Sequence, residues 1–144
     1  MKVVVQRSKY SKVEVDKQLV NEIDKGLVLL VSFTHNDDLD KVITMAKKIA
    51  NLRIFDDENG VMNKSILDVG GEILSISQFT LYADTKKGNR PSYINALGGA
   101  EAIKLYEAFN IEMNKYLKTK PGVFGANMEL SITNDGPVTI ILEL

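Results

Sequence analysis

Hydrophobic positions along the chain change their period several times, and each change marks a different element. Val3-Val4-Val5 opens an apolar run that ends at Gln6-Arg7, and Val13 and Val15 alternate with Glu14 and Asp16. Such patterning predicts short strands over 2–6 and 13–15, separated by the polar stretch Ser8-Lys9-Tyr10-Ser11. Residues 27–33 are nearly continuously apolar, the signature of a central strand buried on both faces. Leu39, Val42, Ile43, Ala46, Ile49 and Ala50 then recur at three- and four-residue steps, which predicts an amphipathic helix over about 38–52, with Asn36-Asp37 as its cap. A second stripe of Ile103, Tyr106, Phe109, Met113 and Leu117 predicts a helix over about 99–118, stopped by Lys120-Pro121-Gly122. Residues 71–76, 128–133 and 138–144 read as further strands, the last two joined by Asn134-Asp135-Gly136-Pro137.

Strands and helices mix here without regular alternation. The expected fold is α/β, with mixed β-sheets forming a barrel-like core and two main helices packed on it. A chain of 144 residues is long enough for one domain, so 1–144 is taken as a single unit. Burying roughly 68–70% of its unfolded surface, it needs no staples.

Composition removes several chemistries. There is no cysteine, which excludes disulfides, thiolate nucleophiles and cysteine-bound zinc, and fits a reducing compartment. One histidine leaves no His-rich metal site within a chain. The start is too short in apolar residues for a secretory signal, and "GLVLLVSF" at 26–33 falls far below the ~18 residues of a membrane span. A soluble cytoplasmic protein with no membrane partner is expected. A net charge of −1 gives no global basic field, so a nucleic-acid partner has to be held locally. Two clusters could do so: Lys86-Lys87-Gly88-Asn89-Arg90, and Lys115, Lys118 and Lys120. Solvated surface charge is the plainer reading of either one taken alone.

Familiar catalytic patterns fail in turn. His35 sits in the polar turn Thr34-His35-Asn36-Asp37, with no Gly-x-Ser-x-Gly elbow anywhere to accompany it. Neither phosphate-loop pattern occurs. The acidic run Asp56-Asp57-Glu58-Asn59-Gly60 suggests a calcium loop, but aligning Gly60 with the loop's glycine puts Phe55 where an Asp is required. Asn59-Gly60 is instead a tight-turn dipeptide. Two polar interruptions of apolar strands remain: Ser77-Gln78-Phe79-Thr80-Leu81 and Asn134-Asp135-Gly136-Pro137-Val138-Thr139. A strand end meeting water and a simple turn would explain both.

The same residues resemble those of a known family. "RIFDDENGVMNKSI" (53–66), "SQFTLYADTKKGNRPS" (77–92), "GVFGANMEL" (122–130) and "NDGPVT" (134–139) are similar to the D-aminoacyl-tRNA deacylases, formerly called D-tyrosyl-tRNA deacylases. The likeness spans essentially the whole chain. It includes both family signatures, Ser-Gln-x-Thr-Leu at 77–81 and Asn-x-Gly-Pro-x-Thr at 134–139. Asn127 departs from the pattern, since many members carry Asp there.

That resemblance implies hydrolysis of the ester joining a D-amino acid to tRNA, with glycyl-tRNA as a further possible substrate and no metal or organic cofactor. The alternative is a tRNA- or nucleotide-binding dimer without turnover. The resemblance assigns Ser77, Gln78, Phe79 and Thr80 to the catalytic pocket. Phe124 and Met128 match positions near the adenosine, and Arg7 the residue that steadies Gly136-Pro137. In the family this dipeptide is cis, is inserted from the partner of a homodimer, and turns its carbonyls toward the amino acid. Lys86, Lys87 and Arg90, directly after the first signature, are expected to meet the acceptor-end phosphates. Thr80 has two readings, covalent nucleophile or positioning group; no general base stands near it in sequence, which favours positioning.

Overall fold

The spine of the fold is β1 (Lys2–Val15), a single strand of 14 residues where the polar pattern predicts two. Ser8 and Ser11 do not interrupt it because they face inward: both are buried, and their hydroxyls lie 2.6 Å apart in a mutual hydrogen bond. A buried hydroxyl with a partner is tolerated in a strand, and sequence period alone does not reveal the partner. After a turn at Asp16-Lys17, β1 pairs antiparallel with β2 (Gln18–Ile23), a strand absent from the sequence reading, and with β3 (Gly26–Ser32). The computed structural model describes residues 1–144.

β3 leads into α1 (Leu39–Ala50), capped by Asp38, whose carboxylate accepts from the Lys41 N–H at 2.9 Å; the cap lies one residue beyond the predicted Asn36-Asp37. Beyond α1, β4 (Phe55–Asp56) and β5 (Met62–Lys64) form a small hairpin around Asn59-Gly60. The Asp57 carboxylate accepts the Asn59 and Val61 N–H groups there, so the acidic run closes a turn. A short α2 (Ile66–Val69), also unpredicted, is held by a reciprocal capping box between Ser65 and Asp68. β6 (Glu72–Ser77) then runs parallel to β3. Gly26 sits at that crossing, where a Cβ would lie 1.8 Å from the Glu72 carbonyl oxygen. α3 (Gly99–Asn114) ends before the predicted 118, leaving room for β7 (Thr119–Pro121) parallel to β6. β8 (Glu129–Glu143) is continuous through Asn134–Pro137, where two separate runs were predicted, and pairs along the whole of β1. The interruption survives as register shifts around Ser8: pairing passes from Gln6 with Thr139 to Ser8 with Asn134 and leaves residues 135–138 without a partner on β1.

Hydrogen bonding follows the order β2-β1-β3-β6-β7, with β8 on the free side of β1. The two ends of that path are tied by side chains: Asn21 Nδ2 donates to the Pro121 carbonyl and Lys120 Nζ to that of Glu22, each at 2.7 Å. The mixed sheet is thereby bent into the nearly closed barrel that was expected. Its two faces are both buried at the centre. Leu27, Leu29 and Val31 meet α1 and α3 in the main core, while Val28 joins Val13, Ile23, Leu74 and Ile76 inside the barrel. This explains the unbroken apolar run of β3. Phe109, fully buried between α3 and the sheet, is a position where truncation to Ala costs about 3–5 kcal/mol.

Candidate active site

The parallel strands β3 and β6 end side by side, and a cavity of about 580 Å³ opens where they stop. Its floor is Val31, Ser32 and Phe33 of β3 with Ile76 and Ser77 of β6. Gln78 and Phe79 form one wall, and Phe124, Asn127, Met128 and Leu130 form another. The remaining wall comes from Tyr93, Ala96, Leu97 and the start of α3 at Gly98, Gly99 and Ala102. Lining of this kind, mostly apolar with a few polar groups, suits a small organic moiety.

The first polar interruption is not a continuing strand. β6 stops at Ser77, and Phe79–Tyr82 wind into a 3-10 turn. The turn opens with the Leu81 N–H donating to the Gln78 carbonyl at 3.3 Å, so the turn itself supplies no acceptor for the N–H groups of Phe79 and Thr80, as at the start of any helix. Gln78 donates from Nε2 to the Thr80 hydroxyl at 2.5 Å, so the two polar side chains are locked together. Gln78 reaches the cavity while Thr80 stands exposed just outside it. Lys2 fastens the far end of the turn, its ammonium 4.7 Å over the Tyr82 ring and 3.4 Å from the Leu81 carbonyl. Burial, with Asp37 and Glu143 nearby, pushes the Tyr82 phenol well above its ordinary pKa. Below the cavity, the buried Tyr106 hydroxyl donates to the Ser75 carbonyl at 2.7 Å and its ring leans on Phe124.

The second interruption is built differently. Gly136-Pro137 is cis and exposed, on the outer strand β8, and takes no part in lining the cavity of its own chain. Asn134 Nδ2 donates to the Thr139 hydroxyl at 2.9 Å, closing the segment across its base. Arg7 grips it from inside the fold. Its buried guanidinium donates to the Asp135 carbonyl at 3.3 Å, pairs with the Asp135 carboxylate at 3.2 Å, and donates to the buried Ile54 carbonyl at 2.8 Å. Gly136 has φ 114°, and a Cβ there would approach the Arg7 guanidinium at 3.2 Å.

Comparison with known proteins decides what this arrangement belongs to. The D-Tyr-tRNA(Tyr) deacylase family model matches residues 4–143. This chain belongs to that family. Among its relatives, the D-aminoacyl-tRNA deacylase of Geobacillus sp. (strain WCH70) is 54% identical over 99% of this chain and 95% of its own. That of Thermus aquaticus is 50% identical over the same shares. A solved structure, the c-Myc DNA Unwinding Element Binding Protein, superposes with a TM-score of 0.95 at 39% identity, covering 100% of this chain and 99% of its own. A probable eukaryotic D-amino acid tRNA deacylase shares the fold, with a TM-score of 0.85 at 14% identity.

Within this family member, the structure brings Ser77, Gln78, Phe79, Phe124 and Met128 to one cavity and sets Arg7, Gly136 and Pro137 elsewhere in the chain. Lys86, Lys87 and Arg90 are exposed on a loop closed by reciprocal backbone bonds between Asp84 and Ser92, at 2.8 and 2.9 Å, and none of the three makes an ion pair. By contrast Lys118 and Lys120 both bind Glu72, and Lys115 binds Glu112. Sequence reading missed the Tyr93–Ala102 wall. That stretch is folded back by Thr34, whose hydroxyl donates to the Asn95 carbonyl at 2.6 Å, and by His35, whose Nε2 lies 2.9 Å from the Ile94 oxygen. The polar turn after β3 was its one visible signal. No helix is long and apolar enough to cross a membrane.

Proposed function

We infer that this chain hydrolyses the ester bond of D-aminoacyl-tRNA, releasing the D-amino acid and free tRNA. The carrying observation is a cavity walled by Ser77, Gln78 and Phe79 in a chain that is 50% and 54% identical to two D-aminoacyl-tRNA deacylases over 99% of its length. An aminoacyl ester is already labile in water, so the catalyst needs to position it and stabilise its oxyanion more than to supply a strong base. The Phe79 N–H, with Ser77 and Gln78 beside it, holds the developing oxyanion. Thr80 orients Gln78 through their shared hydrogen bond, and water is the attacking group. Phe124 and Met128 pack the terminal adenosine. A glycyl ester, lacking a Cβ, enters the same site.

The working unit is a homodimer in the cytoplasm. Each Gly136-Pro137, steadied by Arg7, enters the cavity of the partner and presents its carbonyls to the substrate's amino group, refusing an L side chain. Support comes from the exposure of the dipeptide and from β8, whose outer edge has no strand beside it while Ile141 is 66% exposed. A long open edge of this kind is normally covered. Lys86, Lys87 and Arg90, unpaired on their loop, hold phosphates of the acceptor end.

Incubating the protein with matched D- and L-aminoacyl-tRNA and following ester loss tests the reading. Rapid loss of the D ester alone is expected. Equal rates on both, or none above the blank, would overturn it.

A further inference from the structure

The cavity has a feature that ester chemistry leaves unused. Phe79 and Tyr93 stand at its mouth with their ring centroids 5.0 Å apart and planes at 70°, yet they are 56% and 41% exposed. Ile94 beside them is 76% exposed. Large apolar rings held in a fixed pair and left open to water mark a contact surface. This pair is also rigidly placed: Phe79 begins the 3-10 turn, and Tyr93 follows the Asp84–Ser92 bridge and precedes the segment anchored by Thr34 and His35.

We propose that Phe79 and Tyr93 form a stacking platform for the base of the penultimate nucleotide of the substrate's single-stranded 3′ end. The inference rests on the aminoacyl-tRNA reading above and extends it one nucleotide outward. Charge complementarity selects the occupant. Tyr93 is the first residue after a loop carrying Lys86, Lys87 and Arg90, three cations with no acidic partner in the chain, so an aromatic lip adjoins a positive loop. A single strand of nucleic acid offers both complements, π-faces for the rings and phosphates for the cations, and base–aromatic stacking needs no particular base. An apolar peptide or a neutral lipid would use the rings and leave the cations unmatched. With the terminal adenosine inside the cavity, the next base along the strand reaches its lip.

Turnover of a 3′-D-aminoacyl-adenosine is to be compared with that of a 3′-D-aminoacyl-trinucleotide ending in the same adenosine. Wild type is expected to favour the trinucleotide by about tenfold or more in kcat/KM. That ratio should fall at least fivefold in Tyr93→Ala and Tyr93→Leu and be kept in Tyr93→Phe, since the ring and not the hydroxyl does the stacking. A wild-type ratio near one, or an unchanged ratio in both ringless variants, overturns the proposal. So does an equal loss on the two substrates, which would make Tyr93 only a cavity wall. A second readout needs no variant: an uncharged trinucleotide with 2-aminopurine at its middle position should be quenched on saturating wild-type protein. Absence of quenching at saturation overturns the platform. If wild type cleaves neither ester, the assigned reaction fails, and this titration still decides the platform.

Discussion

The turn at 77–82 and the segment at 134–137 both place polar residues in the middle of apolar strands, but they are made in opposite ways. The first ends a strand whose residues Ile73–Ile76 are all buried, and its geometry is local: a 3-10 turn, with Gln78 bonded to Thr80 two residues away. The second rides on an exposed outer strand and is held from a distance by Arg7, 128 residues earlier in the chain. One is a concave wall and the other a projection. A local device tolerates damage to its neighbours, whereas a projection gripped by one buried cation depends on that cation.

Removing Arg7 should therefore have the largest effect. Arg7→Ala takes the guanidinium from the Ile54 and Asp135 carbonyls and leaves the Asp135 carboxylate with the exposed Lys9 alone, and is expected to cost about 2–3 kcal/mol in denaturant unfolding. Activity should fall by at least about a hundredfold on top of this, because the projection loses its grip. A stable, fully active Arg7→Ala would dissolve the contrast between the two regions.

At the wall, Gln78→Ala should lower kcat by about ten- to a hundredfold while leaving the unfolding midpoint nearly unchanged. Thr80→Ala should do less, about tenfold or below, with no acyl-enzyme accumulating in single-turnover experiments. Trapping an aminoacyl adduct on Thr80 would convert the positioning group into a nucleophile.

A smaller effect is expected where neither region is touched. The triple variant Lys86→Ala, Lys87→Ala, Arg90→Ala should bind tRNA more weakly and flatten the slope of log affinity against log salt by about 2. Binding and slope both unchanged would return these residues to ordinary surface charge.

The smallest effect concerns acid. Asp57 is held below its ordinary pKa by the Val61 and Asn59 N–H groups, and Asp68 by the Ser65 N–H and hydroxyl. Groups with folded-state pKa values below the unfolded ones contribute stability above about pH 4, and this is lost as pH falls through the folded values. Unfolding midpoints should be flat toward neutrality and decline gently below about pH 4. A decline that Asp57→Asn and Asp68→Asn leave unaltered would locate the sensitivity elsewhere.

How much was legible in the sequence follows the same division between local and distant causes. β3, α1 and the Asn59-Gly60 turn rest on periodicity and turn chemistry within a few residues, and their positions were readable. The continuity of β1 was not, because Ser8 and Ser11 satisfy each other only once both face inward. β7 was hidden inside a helix stop signal, since a three-residue strand has no period of its own. Both signature stretches were visible as polar interruptions, but not that one would coil into a turn and the other remain a strand. The Tyr93–Ala102 wall was least visible: its shape depends on Thr34 and His35, some 60 residues away.

One consequence concerns time. β1 is paired on one side by β2 and β3, whose residues follow within the first 32, and on the other by β8, with Lys2 opposite Glu143. A ribosome adding roughly 5–20 residues per second separates the end of β3 from the end of β8 by about 5–20 s. Throughout that interval the nascent chain carries Val3, Val4 and Val5 on a strand with one finished edge and one open one. Such an edge recruits whatever strand arrives first. Synthesis in crowded polysomes thus exposes this fold to mispairing between neighbouring nascent chains until its last strand emerges.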